Sequence, residues 1–220
     1  MELETRNMPG RVELRSGGTG IGLLVGYASV FNKRSQNLGG FVEVVDPKAF
    51  AKTLGDKAPV VARFNHNDDY LLGTTEAATL RLSVDRNGLM YEVDLPDTGA
   101  GRDVRALAER GDLRYSSFAF RTVSDTWSET EDGMPLRTLT AVHLVDVSPG
   151  VNPAYRDTTT GMSTPLRTLA GHLGLELEQV RRAAEAGDLR TLFRNPTEPA
   201  KDQNVRADLA MLRRKLELWA

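Results

Sequence analysis

Short runs of alternating apolar and polar residues recur along the first 160 residues of the chain. Because alternation puts the apolar side chains on one face of an extended strand, this region is predicted to be rich in β-strands. One hairpin is expected where the runs 80–84 and 89–95 meet across Asp85-Arg86-Asn87-Gly88, since Asn-Gly tolerates the positive φ of a tight turn. A second hairpin is expected over residues 123–139, with its charged tip in solvent.

Two short helices are predicted within this β-rich region. The first spans residues 47–54, because Asp46 can cap it, Pro47 suits its first position and Gly55 can end it. The second spans residues 101–110 and ends at Gly111. It leads directly into a further strand, predicted over residues 113–123.

The pattern changes near residue 160, where strand-like alternation gives way to helical spacing. Apolar residues recur every three or four positions at Leu166, Leu169, Leu173, Leu177, Val180 and Ala183, and again at Val205, Leu209, Leu212 and Leu216. We therefore predict a β-domain over residues 1–160, followed over 161–220 by a linker and a helical tail.

Composition narrows the classes of function. Hydrophobic residues make up 40% of the chain and charged residues 26%, and the formal net charge is −2, so a globular core is expected and a nucleic-acid partner is not. The chain has no cysteine, so a covalent nucleophile has to be an oxygen or a lysine. With no secretory signal and no apolar run of about 18 residues, we expect a cytoplasmic protein without a membrane span.

The three histidines are His66, His143 and His172. His66 lies where an apolar run ends in polar turn residues, a position suited to a catalytic base but more often occupied by a solvated turn residue. His143 lies in a strand-like run, and His172 lies in the helical region. None of the histidines has the spacing of a metal site, although Asp68 and Asp69 follow His66, so we expect neither a metal nor a cofactor.

Two further residues could carry chemistry. In the strand predicted over residues 113–123, Phe118 and Phe120 share one face, which leaves Ser117 on the other, although a serine in a strand is more often structural than catalytic. Asp146 interrupts an apolar run, and its carboxylate is costly to bury without a partner such as a histidine. The alternative is an edge-strand aspartate that reaches solvent.

Taken together, these segments resemble the prohead maturation proteases of tailed bacteriophages, a family that looks related to the herpesvirus assembly proteases. The resemblance covers residues 11–160 and rests on seven blocks in order. They are GYASVFN at 26–32, GGFVE at 39–43 with PKAF at 47–50, FNHN at 64–67, LGT at 72–74 with TLRL at 79–82, GLMYEVDLPDT at 88–98, YSSFAF at 115–120, and LVDVSP at 144–149 with NPAY at 152–155.

The resemblance implies a mainly β, α+β fold built on a closed or nearly closed antiparallel β-barrel with flanking helices, as in herpesvirus proteases. It also implies a serine endopeptidase in which Ser117 is the nucleophile, His66 the general base and Asp146 the group that orients the histidine. His143 is the alternative third group, because herpesvirus relatives use a second histidine. From its place after Asp146, we expect residues 148–152 to form a loop whose backbone amides stabilise the oxyanion.

The implied substrates and partners are the major capsid protein with its scaffolding segment, and the chain itself. A homodimer is possible by analogy with the herpesvirus relatives, and no nucleic acid, membrane or cofactor is implied. The protein would work inside the immature prohead, in the cytoplasm of the bacterial host. Its helical tail would be removed by self-cleavage, dock to scaffold or capsid subunits, or cap the barrel.

The chain departs from the family pattern beside the proposed nucleophile. Ser116 and Ala119 occupy positions where glycines are usual, which could narrow the site, and Ser116 is itself a second candidate nucleophile. The alternative function is therefore a catalytically impaired internal scaffold or assembly protein that keeps the protease fold. A hydrolase of small esters with the same three groups is a third possibility.

Overall fold

The computed structural model describes residues 2–9, 12–150 and 162–194. Ten strands and five helices, together with a 3-10 turn at Phe64–His66, make up the mixed α+β fold of these residues. The strands are β1 (Glu4–Pro9), β2 (Glu13–Arg15), β3 (Leu23–Val30), β4 (Val42–Val45), β5 (Val61–Arg63), β6 (Leu71–Thr74), β7 (Leu80–Val84), β8 (Gly88–Asp94), β9 (Tyr115–Glu129) and β10 (Pro135–Gly150). The helices are α1 (Ala51–Gly55), α2 (Gly99–Arg110), α3 (Ser163–Leu173), α4 (Leu177–Glu185) and α5 (Leu189–Arg194).

The strands form two sheets. The six-stranded sheet has the order β1-β9-β10-β5-β6, with β4 also paired to β10, and the four-stranded sheet has the order β2-β3-β8-β7. The 16 residues of β10 are long enough to accept β4 along Leu136–Leu139 and β5 along Asp146–Val147, both in parallel, while β9 pairs antiparallel on the other side. The β9–β10 hairpin is thus the central ladder of the larger sheet.

The predicted antiparallel β-barrel is wrong. In the described part of the chain the sheets end at outer strands, β1 and β6 in one and β2 and β7 in the other, and two of the pairings are parallel. Alternation along a strand reveals which face is buried but not which strand lies beside it, so barrel closure rested on the resemblance alone. The likeness to herpesvirus proteases stays a prediction.

Most local predictions for the β-rich region are confirmed. Strands β7 and β8 pair with Leu80 opposite Val93 and Leu82 opposite Tyr91, and β9 and β10 form the second hairpin. Helix α2 ends at Gly111, whose φ of 77° is the left-handed conformation that glycine adopts easily. Helix α1 starts at Ala51, four residues later than predicted, because residues 47–50 form turns.

The reason proposed for the β7–β8 turn is wrong, although the hairpin itself is correct. Neither Asn87 nor Gly88 has a positive φ. The Asp85 carboxylate instead accepts hydrogen bonds from the backbone N–H groups of Asn87 at 2.7 Å and Gly88 at 3.0 Å. A glycine is needed at position 88 because a Cβ there would lie 1.9 Å from the carbonyl oxygen of Ser29.

Two hydrophobic clusters form along the β9–β10 ladder. The larger lies between the sheets, where Phe118 stacks on Phe120 at 5.0 Å and meets Phe50 edge-on at 5.5 Å. In the smaller one, helices α3, α4 and α5 pack over Trp127 and Phe41. The Trp127 indole N–H also donates to the Thr168 hydroxyl of α3 at 3.1 Å.

The predicted helical spacing is therefore confirmed over residues 163–194, and among these helices none is long and apolar enough to cross a bilayer. The helix expected over residues 205–216 lies outside the described part of the chain. The division into a 1–160 domain and a 161–220 tail stays a prediction.

A cluster of charged side chains lies buried between β1, β4, β9 and β10. The Arg137 guanidinium is 0% exposed and contacts Glu4 at 2.7 Å, Glu43 at 3.0 Å and Asp125 at 2.6 Å. Arg6 adds a second cation, 2.7 Å from Glu43 and 2.8 Å from Glu4. Each buried charge thus faces an opposite charge, which offsets the cost of removing it from water.

The pKa values of this cluster are shifted so that its ion pairs persist. Burial alone would raise the pKa of Glu4, but the hydrogen bond and the charge of Arg137, together with the charge of Arg6, lower it below the usual 4.5. Burial alone would lower the pKa of Arg137, but its acidic neighbours Glu43 and Glu4 raise it above its ordinary value. On the other sheet, a hydrogen bond from Arg81 lowers the pKa of Asp94 to about 2.

Replacing Arg137 with methionine should destabilise the fold strongly. The change leaves Glu4 and Glu43 with Arg6 as their remaining cation and removes the contact of Asp125 with Arg137. Breaking a buried pair from one side typically costs about 3–5 kcal/mol. Urea unfolding should show this loss in the free energy of unfolding. The matched control is Arg15→Met, because Arg15 forms only an exposed pair with Glu13, and it should change stability by less than about 1 kcal/mol.

Stability should also fall in acid. A carboxyl group whose pKa is lowered by folding stabilises the protein above its unfolded pKa, and this stabilisation is lost as the pH falls through its folded pKa. Glu4 and Asp94 both have this sign, so the free energy of unfolding should decline below about pH 4.5. Urea titrations between pH 7 and pH 3 measure it, and Asp94→Asn should flatten part of the decline.

Candidate active site

Three neighbouring strands of the larger sheet position Ser117, Asp146 and His66. Ser117 lies on β9 and Asp146 on β10, which pair so that Ser148 is opposite Ser117 and Asp146 is opposite Ala119. Strand β5 runs parallel to β10 with Val61 beside Asp146, and its end leads into the 3-10 turn that carries His66. Residues 51 to 80 positions apart in sequence are thereby brought together.

Alternation along β9 separates Ser117 from the hydrophobic core, as the sequence predicts. Phe118 and Phe120 are fully buried on the core face. Ser116 shares that face, and its hydroxyl is 2.9 Å from the hydroxyl of Tyr91. Ser117 therefore faces the opposite side of the sheet, toward His66.

A β-bulge in β10 brings Asp146 to the same face. Leu144 lies opposite Phe120, but Asp146 rather than Val145 lies opposite Ala119, so one residue of β10 is left over. In a regular ladder Asp146 would lie opposite Phe118 and share its face, which is the core face. The bulge thus moves a carboxylate from the core face to the side of Ser117.

His143, which precedes the bulge, also lies on this face, opposite Arg121, but not near Ser117. Arg121 is four residues beyond Ser117, which is about 13 Å along a strand. The His143 side chain is exposed to solvent, whereas Asp146 is only 2% exposed. Of the two alternatives for the third group, the structure brings Asp146 alone into contact with His66.

The turn that carries His66 has an unusual backbone. Asn65 and His66 both have positive φ, at 54° and 56°, a conformation that residues other than glycine adopt rarely. The backbone N–H of His66 donates to the buried Ser148 hydroxyl at 3.0 Å, and the N–H of Phe64 donates to the Tyr70 carbonyl at 3.0 Å. These bonds hold the turn, and with it the direction of the imidazole.

The side chains form a continuous chain of short contacts. The Ser117 Oγ is 2.6 Å from Nε2 of His66, and Nδ1 of His66 is 2.7 Å from Oδ1 of Asp146. The other Asp146 oxygen, Oδ2, is 3.1 Å from the guanidinium of Arg63, which also contacts Asp68. Both oxygens of the buried carboxylate therefore have a partner, as its burial requires.

This arrangement is suited to proton transfer. When the Nδ1–H group of His66 donates a hydrogen bond to the Asp146 carboxylate, the lone pair of Nε2 is left free to take the proton of the Ser117 hydroxyl. A serine activated in this way is a nucleophile for acyl transfer. Among the described residues there is no group of three acidic, histidine or cysteine side chains able to hold a metal ion.

Comparison with known proteins agrees with this geometry. The family model described as caudovirus prohead serine protease matches residues 11–169. This chain belongs to that family. Its members share the serine protease designation, which fits a hydroxyl in contact with a histidine and an aspartate.

One solved structure similar to this member of the prohead protease family is the capsid assembly protease gp21 of bacteriophage T4. The TM-score is 0.47 and the sequences are 11% identical, with 68% of this chain and 97% of that chain covered. No curated protein matches the sequence.

Three groups at the candidate site were not predicted from the sequence: the Arg63 guanidinium, the Ser148 hydroxyl and the backbone carbonyl of Arg6, which accepts a hydrogen bond from Ser117 at 2.9 Å. Arg63 interrupts an apolar run in the way that Asp146 does, so the same signal could have found it. The Arg6 carbonyl has no signal in the sequence.

The loop predicted over residues 148–152 is wrong in part, and its role as the source of oxyanion donors stays a prediction. Residues 148–150 continue β10 and pair with β9 instead of forming a loop. The remainder of that predicted loop, residues 151 and 152, lies outside the described residues.

The Ser148→Ala substitution should lower the reactivity of Ser117 toward a fluorophosphonate by about tenfold. It removes the acceptor of the His66 N–H, and an unsatisfied buried donor costs about 1–3 kcal/mol, which the turn can relieve only by moving the imidazole. The rate of covalent labelling measures the effect. Ser128→Ala, at an exposed position of β9, is the matched control, and an equal rate for both variants would contradict the role of Ser148.

Proposed function

We propose that this chain is a serine endopeptidase with Ser117 as the nucleophile, His66 as the general base and Asp146 as the group that orients and stabilises the histidine. The observation that carries the proposal is the unbroken contact from Ser117 Oγ through the imidazole to Asp146, at 2.6 Å and 2.7 Å. Membership of the prohead serine protease family supports the same assignment.

In the proposed reaction, Nε2 of His66 takes the hydroxyl proton as the Ser117 oxygen attacks a peptide carbonyl carbon. The imidazolium that forms is stabilised by the Asp146 carboxylate and then gives its proton to the leaving amine. Water, activated by the same histidine, releases the acyl group and restores the serine. Arg63 keeps the Asp146 carboxylate in place by holding its second oxygen.

The proposed substrates are the major capsid protein with its scaffolding segment, and the protease chain itself. The family description, which refers to the prohead, supports a role inside the immature capsid in the host cell. A homodimer stays a prediction. Since all three groups come from one chain, dimerisation is not needed to complete the site.

The two adjacent serines allow a direct test of the nucleophile. Ser117→Ala should abolish fluorophosphonate labelling and reduce peptide hydrolysis by roughly 10⁴-fold or more, because loss of the nucleophile removes covalent catalysis. Ser116→Ala should keep labelling, with a loss of about 1–3 kcal/mol of stability because the buried Tyr91 hydroxyl loses its hydrogen bond. Labelling that follows Ser116 instead would overturn the assignment.

The biological role is tested by co-expression with the major capsid protein of the same phage. The wild-type chain should shorten the capsid precursor and Ser117→Ala should not, as read by mass spectrometry of the assembled particles. Intact precursor with the wild-type chain, together with absence of labelling, would favour the alternative of a catalytically impaired scaffold protein. Cleavage of small esters alone would favour an esterase.

A further inference from the structure

Strand β1 lies directly beside the proposed nucleophile. It is the outer strand of the larger sheet and pairs antiparallel with β9 from Glu4 opposite Phe120 to Pro9 opposite Tyr115. Asn7 is opposite Ser117, so the middle of the N-terminal strand passes the site. The chain thus covers the edge of the strand that carries its own candidate nucleophile.

The backbone of β1 competes with the base for the hydroxyl proton. The Ser117 hydroxyl donates to the Arg6 carbonyl at 2.9 Å, while the same oxygen is 2.6 Å from Nε2 of His66. A hydroxyl has a single proton, so a proton donated to the carbonyl is not available to the imidazole. Ser117 is also only 4% exposed with β1 in place. With its proton donated to Arg6 and its side chain covered by β1, Ser117 is in a resting, inactive state.

The position of β1 is also the position that a substrate strand would need. Proteins that recognise extended peptides commonly add them as a strand to a sheet edge, through main-chain hydrogen bonds. The edge of β9 beside Ser117 is already paired over its full length from Tyr115 to Phe120. A peptide that is to meet Ser117 along this edge has to displace β1.

Ion pairs formed by its side chains hold β1 on the sheet. Glu4 is fully buried, with its carboxylate 2.7 Å from the Arg137 guanidinium and 2.5 Å from the Thr122 hydroxyl. Arg6 binds Glu43 through two contacts of 2.7 Å and 2.9 Å. An acidic side chain and, two residues later, a basic one therefore each bind a partner of opposite charge on the neighbouring strands.

Part of the charged cluster consists of ion pairs that do not involve β1. Without Glu4, the Arg137 guanidinium still contacts Glu43 at 3.0 Å and Asp125 at 2.6 Å. Glu4 and Arg6 carry opposite charges, so the departure of β1 leaves the net charge of the cluster unchanged. The strand is consequently a removable part of the cluster, in contrast to Arg137.

We propose that the β9 edge from Tyr115 to Phe120 is the seat of the substrate strand, and that Glu4–Pro9 occupies this seat as an internal pseudosubstrate. Arg137 and Thr122 then form a subsite for an acidic side chain, two residues before the residue whose carbonyl meets Ser117. The proposal rests on the proposed function, because it names the recognition mode and the resting state of that same site.

Severing β1 after folding is the test. A site for an unrelated sequence-specific protease replaces Gly10-Arg11, so the chain folds with β1 in place and is cut afterwards. Hydrolysis of dye-labelled unfolded casein should rise at least about tenfold when the cut protein is diluted and β1 dissociates. The controls are the uncut variant and the wild-type chain treated with the same protease, and both should keep the low rate.

Adding the strand back tests the subsite. A synthetic peptide of residues 2–9 should restore the inhibition of the cut protein. The peptide with Glu4→Gln should bind at least about tenfold more weakly, because it loses the charge held by Arg137. The peptide with Glu2→Gln is the matched control, since Glu2 is exposed and its hydrogen bond from the Ser163 hydroxyl can also be accepted by a glutamine amide oxygen, and it should inhibit like the parent.

Three results would overturn the proposal. The first is casein hydrolysis that does not rise after the cut, although fluorophosphonate labels Ser117. The second is equal inhibition by the Glu4→Gln peptide and the parent peptide. The third is loss of residues 2–6 from the uncut chain, which would make β1 a substrate.

Failure of the proposed function is a different result, namely absence of labelling in both cut and uncut protein. In that case, binding of the peptide to the cut Ser117→Ala chain still tests whether the β9 edge is the seat of the substrate strand. Fluorescence anisotropy measures this binding. Binding of the parent peptide supports the seat, and absence of binding excludes it.

Discussion

The register between β9 and β10 is the constraint on which the candidate site depends. One extra residue in β10 between Leu144 and Asp146 changes the face on which the carboxylate lies. A regular ladder would bury Asp146 on the same side as Phe118, away from any histidine, at a cost of several kcal/mol for an unpaired ion. Because a slip of one residue exchanges the two faces of a strand, the same pairing sets the core and the site together. Neither can form correctly without the other.

Buried ion pairs reinforce the pairing of β10 with β9 and with β5. Near the hairpin tip, Arg137 of β10 contacts Asp125 of β9, and near the site Arg63 of β5 contacts Asp146 of β10. Buried pairs of this kind add little net stability compared with apolar residues, but an incorrect register would leave their charges unpaired. They therefore disfavour alternative pairings more than they strengthen the observed one. The charged cluster also links β1 to the ladder, so the N-terminal strand and the central hairpin share one set of contacts.

Local features were predictable from the sequence because they depend on neighbouring residues. The two hairpins, the end of α2 at Gly111 and the separation of Ser117 from Phe118 and Phe120 all follow from alternation and turn chemistry. The meeting of Ser117, His66 and Asp146 was expected only from the family resemblance. The prediction of a closed barrel was wrong, and the bulge and the contact of Glu4 with Arg137 were not predicted. All three depend on which distant segments lie beside each other, and Glu4 and Arg137 are 133 positions apart in sequence. No local pattern encodes such distances, so single-residue oddities such as Arg63 were the only available clues.

The smaller hydrophobic cluster has a consequence for any shortening of the chain. Trp127 and Phe41, 5.2 Å apart, are covered by the helices α3, α4 and α5, whereas Ser117 and Asp146 lie near the opposite end of the same hairpin. Loss of these helices would leave the end of the hairpin with Ser117 and Asp146 intact and would expose the aromatic pair at its opposite end. Soluble proteins rarely leave such an apolar patch in contact with water. The candidate site and the covered aromatic pair thus lie at separate ends of one long hairpin. A chain shortened before α3 could keep the geometry of the site and still lose its solubility.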